Sequence, residues 1–66
     1  MEKYSVSIKS EGDGTIAKNL SYEQTIVELS HQFKSKLWEI DDVYQVNYDG
    51  EVIAEFTYYQ AEELFR

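Results

Sequence analysis

The chain has no cysteine and no proline, and only three glycines, one methionine, one tryptophan and one histidine. Its 66 residues set 6 Lys+Arg against 13 Asp+Glu. The missing cysteine excludes a disulfide scaffold, a thiolate zinc site and thiol catalysis. A secreted domain of this length ordinarily needs disulfides, so a reducing, cytoplasmic setting is expected. The first residues, Met1-Glu2-Lys3-Tyr4-Ser5, hold no apolar stretch of the kind a signal peptide uses. The longest apolar run is the three residues Val52-Ile53-Ala54, against the roughly 20 a membrane span requires. The shortage of basic residues says most about partners. A net charge of −7 repels phosphate backbones and anionic lipid, which argues against direct nucleic-acid or membrane binding. The same charge attracts basic protein surfaces, including those that themselves hold nucleic acid.

What is present is enough to fold. A hydrophobic content of 42% with 15% aromatics outweighs the charge, and residues 1–66 make a single small acidic domain. A domain of this size buries only about 60% of the surface its unfolded chain exposes, so self-association is a route to extra stability. Tyr4, Val6 and Ile8 alternate with Lys3, Ser5, Ser7 and Lys9, the period of a strand with one wet face. Glu11-Gly12-Asp13-Gly14 reads as a turn, and Thr15 to Asn19, with Ile16 inward, as the returning arm of a hairpin. Ser21 and Gln24 have the spacing of a capping box. From there Tyr22, Ile26, Leu29, Phe33, Leu37 and Ile40 recur at spacings of three and four, which predicts a helix over 22–39 with that stripe in the core. Val43 to Tyr48 alternates again. Asp49-Gly50 suits a type I′ turn, and Glu51 to Phe56 forms the partner strand with Val52, Ala54 and Phe56 inward. Thr57 and Gln60 repeat the capping-box spacing ahead of a short C-terminal helix.

The expected class is α+β: a single, mostly antiparallel sheet of about four strands, with one main helix on one face and the short helix after it. This hairpin–helix–hairpin order resembles the immunoglobulin-binding domains of streptococcal protein G, a β-grasp arrangement. The Thr15-Ile16 arm with Thr25-Ile26-Val27-Glu28-Leu29 is also similar to ubiquitin-like domains. The resemblance implies a fold and no activity.

Chemistry finds little to work with. His31, the only histidine, falls on the helix side opposite the stripe, and no serine has His and Asp partners at a useful spacing. The Glu11–Asp13 turn lacks the ligand series of a calcium loop. No enzyme, cofactor or metal is expected. Carboxylates gather instead at three places: Glu39, Asp41 and Asp42 after the main helix; Asp49 and Glu51 around the second turn; Glu62 and Glu63 on the last helix. The first group is the odd one, because a helix C-terminus favours cations. Trp38, also opposite the stripe, reads as an apolar anchor inside that acidic rim, unless the helix ends before it or the C-terminal helix folds over and buries it.

These features predict a non-enzymatic protein that occupies a basic, nucleic-acid-binding type of surface on a partner protein. Trp38, Glu39, Asp41, Asp42, Asp49, Glu51, Glu62 and Glu63 are the contacts, with carboxylates standing in for phosphates. In size and charge the chain is similar to inhibitors carried by bacteriophages and mobile elements, including nucleic-acid mimics of the anti-restriction or anti-CRISPR type. The alternative is a self-associating structural module, a homodimer, whose acidity serves solubility alone. The first reading further expects Trp38→Ala to remove binding while sparing stability, and Asn at 41 and 42 to raise stability by relieving repulsion at the helix end.

Overall fold

The alternating segment from Tyr4 forms strand β1 (Tyr4–Ile8) in a computed structural model that describes residues 2–9 and 14–66. It is followed by β2 (Thr15–Leu20), α1 (Tyr22–Lys34), β3 (Val43–Tyr48), β4 (Glu51–Thr57) and α2 (Tyr58–Phe65). The turn expected at Glu11–Gly14 lies outside the described residues except for Gly14, whose carbonyl accepts the Ile8 N–H at 3.0 Å. The Asp49-Gly50 turn is as expected, with both residues at positive φ, 52° and 87°. Both capping boxes form. Ser21 Oγ accepts the Gln24 N–H while Gln24 Oε1 accepts the Ser21 N–H, and Thr57 and Gln60 repeat the exchange.

The four strands make one sheet in the order β2-β1-β3-β4, antiparallel throughout. The class is α+β. The likeness to β-grasp domains stops at element order: such a sheet sets its first and last strands side by side and parallel, whereas here β1 lies against β3, antiparallel. α1 packs on β1 and β2, α2 packs on β4, and the helices touch each other, so both cover one face. Between helices and sheet lie Val6, Leu29, Trp38, Tyr44, Val46 and Ala61.

Three expectations are corrected. The first is the phase of α1. Thr25, Leu29 and Gln32 are its buried residues, while Tyr22, Ile26, Leu37 and Ile40 are exposed and Phe33 is half-buried. The inward face carries two polar side chains because both are satisfied there. Thr25 Oγ1–H donates to the Ser21 carbonyl at 2.9 Å, and Gln32 Oε1 accepts from the Tyr44 hydroxyl at 3.0 Å while its Nε2 donates to Glu28 at 3.0 Å.

The second is the end of α1. It stops at Lys34, five residues short of Glu39. Lys36 takes the left-handed conformation, φ 62°, and the chain closes in a Schellman turn: the Leu37 N–H reaches the Gln32 carbonyl at 3.1 Å and the Lys36 N–H the Phe33 carbonyl at 3.1 Å. Glycine usually holds that position, and a side chain there costs about 1–2 kcal/mol. Lys36→Gly removes this strain and gives back part of the gain in chain entropy. The variant should be more stable by about 0.5–1 kcal/mol, read as a melting point a few degrees higher.

The third is the register of β4. Val46 pairs with Ala54 but Asn47 pairs with Val52, so a bulge at Ile53 adds one residue to β4. Val52 therefore shares the helix-free face with Asn47 instead of pointing inward, and both Val52 and Ile53 are exposed.

Candidate protein-binding site

The segment between α1 and β3 is pinned from inside. Trp38 is 2% exposed, and its indole stacks on the Tyr44 ring at 4.1 Å and 21° and meets the edge of Phe33 at 6.4 Å. Its Nε1–H donates to the Asp42 carbonyl at 3.1 Å. Below it the Trp38 N–H reaches the Gln32 carbonyl at 3.2 Å. Beyond it the Asp42 N–H donates to the Glu39 carbonyl at 3.0 Å, and Asp42 Oδ2 accepts the Glu39 N–H at 3.1 Å. Trp38 is thus a core residue, and its expected role as an outward anchor is overturned. The Schellman turn at Lys36 rotates the chain off the helical wheel, so the wheel position that put Trp38 outside no longer applies.

Turning Trp38 in turns its neighbours out. Leu37 is 57% and Ile40 56% exposed, and Glu39 and Asp41 are exposed beside them. The loop presents two aliphatic side chains interleaved with two carboxylates on a backbone held by hydrogen bonds at both ends. Asp42 belongs to the scaffold, because its carboxylate closes the 39–42 turn. The repulsion expected between these carboxylates and the helix end loses its premise, because α1 ends at Lys34. The dipole effect fades within the last turn, and that turn carries His31 and Lys34.

The remaining expected contacts lie elsewhere. Asp49 and Glu51 sit at the far end of the β3–β4 hairpin from the loop. Six residues of β3 separate the two ends by roughly 17–20 Å at about 3.3 Å per residue. Asp49 accepts an ion pair from Lys3 at 3.7 Å. On α2, Glu62 pairs with Arg66 at 3.4 Å, while Glu63 is exposed. The expected residues are therefore distributed over separate regions, and only Glu39 and Asp41 join an exposed apolar pair in one loop.

The helix-free face is occupied by its own polar contacts. Asn47 Nδ2–H donates to Ser7 Oγ at 3.0 Å, Gln45 Nε2–H donates to Glu55 Oε2 at 2.8 Å, and Lys9 Nζ approaches the same oxygen at 3.5 Å. The Gln45 hydrogen bond, followed by the Lys9 charge, holds the Glu55 carboxyl below the ordinary carboxylate value. A depressed folded-state value gives stability that is present above the unfolded value and lost as pH falls through the folded one. Glu55→Gln should therefore flatten the decline of the denaturation midpoint on acidification, from about pH 5 downward. A decline identical to the parent's would show that Glu55 has no part in it.

Sequence reasoning missed Leu37 and Ile40 as surface residues because both fit the extended stripe. It also missed that Tyr4 touches both Tyr22 and Tyr48, at 5.9 and 4.9 Å between ring centroids. Alternation gave a partial signal for this cluster, since Tyr4 and Tyr48 are each the inward residue at a strand end. His31 is exposed, with its Nδ1 3.4 Å from Ser35 Oγ. Among the described residues no three His, Cys, Asp or Glu side chains are grouped to share a metal ion. Nor is any helix long and apolar enough to cross a membrane. The chain matches no family model, no curated protein and no solved structure.

Proposed function

We propose that the protein is a non-enzymatic binding protein that occupies a basic surface of a partner protein, in the manner of a nucleic-acid-mimicking inhibitor of a bacteriophage or mobile element. The observation that carries this reading is the α1–β3 loop, where a buried Trp38 fixes the backbone and leaves Leu37 and Ile40 exposed beside Glu39 and Asp41. Exposing two large aliphatic side chains in an ordered loop does nothing for the stability of the monomer. An interface core needs apolar contacts ringed by polar groups, and the pinned backbone lowers the ordering cost of binding. The surrounding charge sets the sign of the partner, since a chain at −7 is steered toward cationic surfaces.

The test is capture from a bacterial lysate at low salt, elution at high salt, and mass spectrometry of the eluate. The parent is compared with the Leu37→Ser/Ile40→Ser double variant and with Glu39→Gln/Asp41→Asn. The reading expects a basic protein that is lost by the first variant and bound more weakly, with a flatter salt dependence, by the second. Both variants should melt near the parent temperature, because all four side chains are exposed. Retention of every captured protein by both variants would contradict the reading. Salt-insensitive association of the chain with itself through Leu37 and Ile40 would support the homodimer instead.

A further inference from the structure

The end of the molecule opposite the α1–β3 loop carries an aromatic surface that the loop reading does not use. Tyr22, Tyr4 and Tyr48 form a row across α1, β1 and β3, with successive ring centroids 5.9 and 4.9 Å apart and both contacts edge-to-face. Tyr22 is 62% and Tyr48 44% exposed. Ile26, one turn along α1 from Tyr22, extends the apolar surface and is itself exposed. Carboxylates border the row. Glu51 is the cross-strand partner of Tyr48, so their side chains lie side by side on the same face. Glu23 follows Tyr22. Neither Glu51 nor Glu23 has an ion-pair partner among the described residues, whereas Asp49 is engaged by Lys3.

We infer that this row is a second interaction surface, which takes arginine side chains from a basic segment of a protein partner. The chemistry selects arginine over other cations. A planar guanidinium stacks on an aromatic face and at the same time directs its N–H groups to a carboxylate, which is the pairing that Tyr48 and Glu51 offer. A lysine ammonium is a strongly hydrated point charge that gains less from a ring. The net charge of −7 supplies attraction for any cation; the exposed rings supply the preference among cations. The inference shares the acidity argument with the loop reading but rests on different residues, so the two can fail separately.

The test uses two defined probes, hexa-arginine and hexa-lysine peptides, titrated at low salt into isotope-labelled protein and followed by amide chemical shifts. Stacking of a cation at an exposed ring is worth about two- to five-fold and arginine captures more of it than lysine, so hexa-arginine should bind measurably tighter than hexa-lysine. Its shifts should concentrate at Tyr4, Tyr22, Tyr48 and Glu51. Tyr22→Ala and Tyr48→Leu should each reduce the arginine preference, and Leu37→Ser/Ile40→Ser should leave it intact. Melting curves check that the tyrosine variants remain folded. If Tyr48→Leu unfolds, Tyr22→Ala alone carries the test, because its ring is mostly in solvent. Equal affinity for the two peptides would overturn the inference. So would shifts centred on Glu39 and Asp41, or an arginine preference unchanged in Tyr22→Ala. Those results leave the loop reading standing, which is tested separately by its own variants.

Discussion

Trp38→Ala should unfold the domain or bring it to the edge of unfolding. The indole is 2% exposed, stacked on Tyr44 and in edge contact with Phe33, and removing a buried large aromatic costs about 3–5 kcal/mol. The loss of the Nε1–H bond to the Asp42 carbonyl adds roughly 1 kcal/mol. A chain of 66 residues has little margin to absorb this, since native domains are stable by only about 5–15 kcal/mol in total and small ones lie at the low end. Chemical denaturation should show either no cooperative transition or a midpoint far below the parent's. Trp38→Phe, which keeps a ring on Tyr44, should recover much of the loss. A Trp38→Ala variant that melts with the parent would put the indole outside the core and return it to the role of surface anchor.

The second large effect separates neighbours on α1 and its exit. Leu29, 1% exposed, should cost about 2–5 kcal/mol when replaced by alanine. Leu37, 57% exposed, should stay within about 0.5 kcal/mol of the parent. The two leucines fall on one face if the helix continues, so a continuous helix predicts comparable losses for both. The ratio of the two effects therefore reports where α1 ends, independently of any spectroscopic probe. Comparable destabilisation by both substitutions would restore the longer helix and bury the loop that the proposed binding site depends on.

Much of the fold was legible, and the reason differs by element. Strand β1 and the Asp49-Gly50 turn follow from alternation and from the demand for positive φ, both local. The starts of both helices follow from capping boxes whose donors and acceptors lie within four residues. The end of α1 was not legible, because Lys36 occupies a position that glycine ordinarily marks. Extending the wheel past it placed Leu37 and Ile40 inside and Trp38 outside, the reverse of the structure. The phase failed for a related reason. Thr25 and Gln32 are polar, and their fitness for the core depends on the Ser21 carbonyl, the Tyr44 hydroxyl and Glu28, of which Tyr44 is distant in the chain. The outward turn of Val52 depends on a bulge opposite Asn47, a property of strand pairing that one strand alone does not carry.

The candidate site inherits these limits. Charge alone marks Glu39 and Asp41 as surface carboxylates, but the exposure of their apolar companions depends on where the helix ends. Residue type does not separate Asp42 from them, although its carboxylate closes a turn. The tyrosine row required the sheet order, since Tyr4 and Tyr48 become neighbours only when β1 lies beside β3.

Both the scaffold and the proposed site turn on which way the chain faces at positions 37, 38 and 40. Trp38 is the only tryptophan, so the emission of the unmodified protein, excited at wavelengths tyrosine does not absorb, reports on it alone. We predict emission displaced to the short wavelengths of an indole in apolar surroundings, with slow quenching by acrylamide until the protein unfolds. Emission typical of an indole in water, quenched freely in the folded state, would contradict the buried Trp38 and with it the outward display of Leu37 and Ile40.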